Sequence, residues 1–266
     1  MSINLSDFDY IRKIVRDRTG VLLADDKTYL VESRLTRIAK DHGVKSIGGL
    51  VAKLRQQPFN GLSELAIEAL MTNETFFYRD EHPFHALKTH ILPEITTKRQ
   101  AKKTLNIWCA ACSSGQEPYS IGMLLHEEFP QLADWDIRLV ASDISTAILD
   151  RARTGIYAQH EVNRGLSVTL LNKYFQPIDN GWQIDEKIRR MVDFRQMNLT
   201  DNYLPLAQID IVFLRNVLIY FDVETKRSIL AKVRRILQPD GYLFLGGGET
   251  TLNVDDAFEP VQFNKT

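Results

Sequence analysis

Apolar positions recur at helical spacing through residues 1–71, and after that they gather into short runs separated by amphipathic stretches. In the first segment, Ser6 with Asp9 offers a capping box, Phe8, Ile11, Ile14 and Val15 follow on one face, and Gly20 ends the run. A second helix is predicted over 26–41, with Leu30, Leu35 and Ile38 as its buried positions and Gly43 as its stop. Shorter helices are predicted over 47–55 and 63–71. No strand signal interrupts them, so the segment reads as a small all-α domain.

From Pro83 onward the pattern changes. Proline suits the first turn of a helix, here one with Phe84, Leu87, Ile91 and Leu92 on its apolar side. After a polar stretch over 97–103, apolar runs at 105–109, 137–141, 209–214 and 242–245 alternate with amphipathic stretches at 120–129, 146–153 and 223–237. Continuous apolar strands alternating with helices imply a parallel sheet covered on both faces. The rhythm breaks over 174–197, where Asp179-Asn180-Gly181 signals a tight turn between Tyr174 and the apolar Trp182-Gln183-Ile184, with Met191-Val192-Asp193-Phe194 beyond. That stretch is predicted to be a small antiparallel insertion. The expected organisation is a helical domain over 1–71, a linker over 72–81 that contributes to the site, and an α/β domain over 82–266.

Composition narrows the function class. With 44% hydrophobic and 25% charged residues the chain reads as globular. No apolar run approaches the ~20 residues of a bilayer span, and acids stand where a signal peptide would be basic, so a cytoplasmic protein is expected. The net charge of -1 gives no global basic field, and no nucleic-acid partner is expected. Cys109 and Cys112 form a C-x-x-C pair, but zinc needs two further ligands and His82 and His85 match the usual spacing poorly. Reduced structural thiols at a strand end are expected, with no metal.

Ligands of open parallel sheets collect beyond the carboxyl ends of the strands. After the first strand comes Ala110-Ala111-Cys112-Ser113-Ser114-Gly115-Gln116-Glu117-Pro118-Tyr119-Ser120. Its small residues let a ligand approach the backbone, yet it is neither G-x-G-x-x-G nor a Walker loop, which gives a phosphate cradle little support and leaves a nucleoside without phosphates open. Asp143 ends the second strand, where a carboxylate can accept the ribose hydroxyls or merely cap the next helix; spacing leaves both readings open.

Together with Thr72-Asn73-Glu74-Thr75-Phe76-Phe77-Tyr78-Arg79-Asp80 and Arg215-Asn216-Val217-Leu218-Ile219-Tyr220-Phe221-Asp222, these stretches closely resemble the CheR family of chemotaxis receptor glutamate methyltransferases. The resemblance implies a Rossmann-like domain that binds S-adenosylmethionine and releases S-adenosylhomocysteine, with a small β insertion and a helical domain in front. It implies that Asn73, Thr75 and Arg79 approach the methionine part of the cofactor. Glu117 would bind its amino group and Asp143 its ribose, while Asn198 with Leu199 and Arg215 with Asn216 would line the adenine and the methionine tail. The acceptor would be a glutamate in the cytoplasmic helical region of a chemoreceptor.

A carboxylate acceptor is already ionised at pH 7, so alignment is needed and a general base is not. Arg79 is the candidate for orienting it and Tyr220 for a second hydrogen bond near the methyl. Lys27, Arg34, Arg37 and Lys40 fall at helical spacing in the second helix and form a basic stripe, either a solvated face or a receptor-facing one. In some family members the insertion tethers a receptor C-terminal peptide. The short turn here lacks the longer glycine-rich loop of those members, which speaks against a tether. Gly246-Gly247-Gly248-Glu249 also departs from the family pattern. A monomer is expected. The competing readings are a methyltransferase acting on RNA or a small molecule, and a sensor that binds the cofactor without catalysis.

Overall fold

A helix begins stably where a short polar side chain takes an amide that its first turn leaves unpaired. In α1 (Leu5–Thr19) that residue is Asn4, whose side chain accepts from Asp7 N at 2.8 Å. This corrects the Ser6–Asp9 box, because the helix already starts at Leu5 and Ser6 lies inside its first turn. Phe8, Ile11 and Val15 are buried, and Gly20 closes the helix in the left-handed conformation. In α2 (Thr28–Asp41) Leu35 is buried as expected, while Leu30 and Ile38 are half-buried and the next residues, Val31 and Ala39, take the buried places. Ser46 caps α3 (Ile47–Gln56), and α4 (Gly61–Leu70) buries Ala66, Ile67 and Leu70.

The computed structural model describes residues 3–57, 61–201 and 208–263. The chain divides into two units, one of Met1–Thr72 with Tyr220–Thr225 and one of Asn73–Ile219 with Lys226–Thr266. Among the described residues no helix is long and apolar enough to cross a membrane.

The second unit starts with α5 (His82–Ala86), a π-helical turn over Leu87–Ile91 and α6 (Leu92–Arg99). Then follow β1 (Thr104–Ala110), α7 (Gln116–Glu128), β2 (Asp136–Asp143), α8 (Thr146–Thr154), β3 (Ile156–Tyr157), α9 (Gln159–Val162) and α10 (Val168–Tyr174). The chain continues through β4 (Phe175–Ile178), β5 (Gly181–Ile184), α11 (Glu186–Arg189), β6 (Val192–Gln196), β7 (Ile209–Leu214), α12 (Val223–Ile236) and β8 (Leu237–Leu245).

The main sheet has the order β6-β2-β1-β7-β8 and every pairing in it is parallel. Ile107 of β1 lies opposite Leu139 and Ile211, and β7 is buried throughout, as a strand with both faces covered requires. Strand order reverses direction at β1, so the loops after β1 and β7 diverge there and open the crevice in which such sheets bind ligands.

A second, antiparallel sheet has the order β3-β5-β4, with Asp179 and Asn180 in its hairpin turn. Two details differ from the expected insertion over 174–197. Ile156 and Tyr157 supply a third strand, too short to show in the pattern. Val192–Gln196 leaves the insertion and pairs with β2 at the edge of the main sheet. Its mixed burial, with Val192 buried and Asp193 exposed, is that of an edge strand, which in sequence looks like a half-solvated antiparallel one. Cys109 and Cys112 are free and buried, and burial pushes both thiols well above their ordinary pKa.

Candidate active site

The loop after β1 is shaped by left-handed backbone at Ala111, Ser113 and Gly115, which bends the chain sharply into α7. Cys112 N donates to Ser142 O at 2.9 Å, tying this loop to the end of β2. Beside it stands Asp143, only 7% exposed. Its Oδ2 accepts from Ser113 N at 2.9 Å and its Oδ1 from Ser145 N at 3.1 Å. The cap of α8 is Ser145, whose side chain accepts from Ile148 N. Asp143 is therefore a buried carboxylate oriented by two main-chain amides at the mouth of the sheet. Met197 N donates to Asp143 O at 2.9 Å, which brings Asn198 and the buried Leu199 to the same strand ends. Asn198 Oδ1 also accepts from Thr200 N and Oγ1, closing the turn that follows.

Across the crevice, Glu117 in the first turn of α7 meets Arg215 at the end of β7. Arg215 Nη1 donates to Glu117 Oε2 at 2.8 Å, and its Nη2 donates to Arg79 O at 2.9 Å and to Asp80 Oδ2 at 2.7 Å. The Arg215 side chain is 1% exposed and that of Glu117 is 12% exposed. Burial pushes the Glu117 carboxyl above the usual carboxylate range, and the adjacent guanidinium pulls in the opposite direction. Among the described residues, the buried Arg215 Nε finds no hydrogen-bond partner.

The segment over 73–81 is held at every turn. Ser113 Oγ donates to Asn73 O at 2.9 Å, Arg164 Nη2 to Glu74 Oε1 at 2.9 Å, and Tyr78 N to Ser120 Oγ at 3.0 Å. Phe77 is fully buried, edge-on to Tyr157 of β3 and Phe175 of β4, with centroids 4.9 and 5.5 Å away. Gly165 makes this path feasible. It is left-handed at φ 91°, and a Cβ there would stand 1.8 Å from Phe77 O. Tyr78, Asp80 and Glu81 are themselves left-handed, at φ 49°, 69° and 47°. Strain of this kind persists only where surroundings impose it. Arg79 thus projects from an imposed turn; its Nη1 donates to Glu74 O, and its guanidinium lies 5.5 Å from the Phe76 ring centroid. Thr75 is half-buried in the same segment.

Asn216 follows Arg215 with left-handed backbone at φ 58°. The carboxylate of Glu249 accepts from Asn216 N at 2.7 Å, Val217 N at 2.8 Å, Ile219 N at 3.3 Å and Gly246 N at 2.7 Å. The structure thereby gives Glu249 a role in the loop that had departed from pattern.

Asn73, Thr75, Arg79, Glu117, Asp143, Asn198, Leu199, Arg215 and Asn216 all belong to the α/β unit, and hydrogen bonds link most of their segments. Tyr220 groups instead with the helical unit, where its carbonyl accepts from Leu22 N at 2.9 Å. The basic stripe of α2 needs one correction. Arg34 is half-buried, and its Nη1 donates to Ala69 O at 3.1 Å and Met71 O at 2.7 Å, so it caps the end of α4. Lys27 and Arg37 face neighbouring acids, Asp26 at 3.6 Å and Asp41 at 3.9 Å, and Lys40 is exposed. Ser113, Ser120 and Glu249 were not singled out by sequence reasoning. Their contributions are hydrogen bonds to or from main chain, which no side-chain spacing announces.

A buried carboxylate at the end of β2 and a half-buried one in the first turn of α7, with no phosphate-binding lysine in the loop after β1, suit a ligand that presents hydroxyl and ammonium donors. Two family models match the chain, and one of them covers this site. Residues 73–266 match the CheR methyltransferase, SAM binding domain, and residues 6–71 match the CheR methyltransferase, all-alpha domain. The chain is 42% identical to the chemotaxis protein methyltransferase Cher2 of Pseudomonas putida over 98% of its length and 96% of that protein. Chemotaxis protein methyltransferase 1 of Pseudomonas aeruginosa is likewise 42% identical, over 98% and 96%. The chemotaxis protein methyltransferase of Vibrio parahaemolyticus is 36% identical over 99% and 96%.

Proposed function

The chain belongs to the CheR family and is an S-adenosylmethionine-dependent methyltransferase of chemotaxis, and from that premise we propose that its acceptor is a glutamate side chain in the cytoplasmic helical region of a chemoreceptor. The observation that carries this reading is the Arg215 latch. One buried guanidinium joins Glu117, on the cofactor side, to the main chain of Arg79 and the carboxylate of Asp80, on the acceptor side.

When bound, S-adenosylmethionine supplies a methyl made electrophilic by its sulfonium. Asp143 accepts the ribose hydroxyls and Glu117 the ammonium, Asn198 and Leu199 line the adenine, and Asn73, Thr75, Arg79, Arg215 and Asn216 line the methionine end. Arg79 orients the acceptor carboxylate. No histidine stands in 72–80, 110–120 or 215–222. An acceptor with a pKa near ~4.3 needs none, because it arrives as the nucleophile. Alignment then does the chemical work, and a well-oriented pair recovers roughly 7–11 kcal/mol of barrier. Pairing with Arg79 stabilises the anionic ground state by ~1.5–3 kcal/mol, a smaller effect that orientation outweighs. Neither an RNA or small-molecule acceptor nor a non-catalytic sensor is favoured by the relatives.

The test incubates the purified chain with methyl-labelled S-adenosylmethionine and a panel of chemoreceptor cytoplasmic fragments, then adds base. Label released as volatile methanol identifies a carboxyl methyl ester on the receptor. Receptor label that survives base would overturn the glutamate reading.

A further inference from the structure

We propose that Glu249 is a positioning residue for the cofactor, acting through the loop after β7. Its carboxylate binds this loop to the loop after β8. Three of its hydrogen bonds come from Asn216, Val217 and Ile219, at 2.7, 2.8 and 3.3 Å, and one comes from Gly246 at 2.7 Å. Hydrogen bonds to an ionised acceptor are stronger than neutral ones, and four converging donors fix the loop's path as well as its place. Asn216 has left-handed backbone at φ 58°, a conformation that asparagine tolerates better than most residues, and its amide is one of the four donors.

Sterics make the same connection. A Cβ on Gly246 would stand 2.5 Å from Asn216 Nδ2, 2.8 Å from Asn216 N and 2.8 Å from Glu249 Oε2. The end of β8 is bare of side chain where Asn216 and Glu249 meet over it. Both loops lie beyond the carboxyl ends of adjacent parallel strands, the region where these sheets bind ligands. Glu249 makes no contribution to the chemistry itself. It sets where Asn216 presents its side chain, and so governs how tightly the methionine end of the cofactor is held.

The inference rests on the placement of the cofactor beside Asn216 proposed above, and its test uses no acceptor. Calorimetric titration with S-adenosylhomocysteine compares the wild-type chain with Glu249→Ala, Glu249→Gln and Asp210→Asn. Asp210 lies at the start of β7, far along the strand from Asn216, and its carboxylate bonds Arg99 and Asn106 N. Its substitution should lower the melting temperature without touching the loop. The expected result is a tenfold or greater loss of affinity in Glu249→Ala, a smaller loss in Glu249→Gln, which keeps one acceptor oxygen, and wild-type affinity in Asp210→Asn. Affinity within twofold of wild type in both Glu249 variants would overturn the proposal. So would losses that simply track melting temperature across all three variants. If Glu249→Ala does not fold, Glu249→Gln decides alone on the same criteria. Failure of the wild-type chain to bind would remove the cofactor placement and this inference with it.

Discussion

Replacing Arg215 with methionine keeps most of the buried volume and removes the charge. The side chain is 1% exposed and donates to Glu117, Arg79 O and Asp80. Removing one partner of a buried pair typically costs about 3–5 kcal/mol, because the other charge is stranded. The lost bond to Arg79 O adds to this, while relaxation of the left-handed turn at 78–81 offsets part of it. A deficit of about 3–5 kcal/mol at pH 7 is therefore expected.

Its pH dependence identifies the cause. Burial already holds the Glu117 carboxyl above its ordinary range, and loss of Arg215 raises it further. Below the unfolded value of about 4.3, Glu117 is neutral in both states and the stranded charge contributes nothing. Between that value and the raised folded one, the folded chain holds a proton that the unfolded chain has released. The variant's stability therefore falls as pH rises through that window, by up to ~1.4 kcal/mol per unit. The assay is urea denaturation followed by tryptophan emission, since Trp108, Trp135 and Trp182 all lie in the α/β unit. Adding Glu117→Gln to Arg215→Met should recover most of the loss. A deficit under about 1 kcal/mol at pH 7, or one that does not change between pH 4 and pH 7, would refute the stranded-charge account.

Arg79→Ala should abolish methyl transfer and leave the denaturation midpoint nearly unchanged, because its guanidinium contacts the nearby Glu74 O and Phe76 ring within the same segment; near-normal turnover would sink its assigned role. Cofactor affinity should weaken as pH is lowered through the raised Glu117 value, since an ammonium requires the ionised carboxylate, and calorimetry on Glu117→Gln should show that slope flattened. Gly165→Ala should destabilise the α/β unit by roughly 2–5 kcal/mol in urea titration, as both the backbone angle and the contact with Phe77 O oppose a Cβ. Charge reversal at Arg37 should slow receptor methylation at low salt with cofactor affinity intact. Reversal at Arg34 should instead cost about 1–3 kcal/mol of stability, because Ala69 O and Met71 O lose their donor.

Apolar spacing made the parallel strands and most helices legible, because a strand covered on both faces cannot be written without a continuous apolar run. It failed for β6, whose edge position produces the same half-polar pattern as a solvated hairpin. It also failed for β3, two residues long and defined only by its partner. In α2 two of the three expected positions gave way to their neighbours Val31 and Ala39, and Arg34 turns its charge onto carbonyls at the end of α4, acceptors that a helical wheel does not contain. At the site, Asp143 could be singled out because it ends a strand, where spacing left a ribose role and a capping role open, and Glu117 was assigned through the family resemblance. Asn198 came only from the family resemblance. Glu249 stayed opaque, since its partners are main-chain amides, which every residue but proline carries.

The small antiparallel sheet is built around a side chain that it does not own. Phe77 comes from the 73–81 segment and fills the aromatic cluster of Tyr157 and Phe175, two residues ahead of Arg79. The sheet is therefore a buttress for the turn that presents Arg79, whatever else its outer edge recognises. A chimera that exchanges residues 156–184 between relatives would have to carry a matched residue at position 77. Without one, the graft would fold and the arginine would lose its aim.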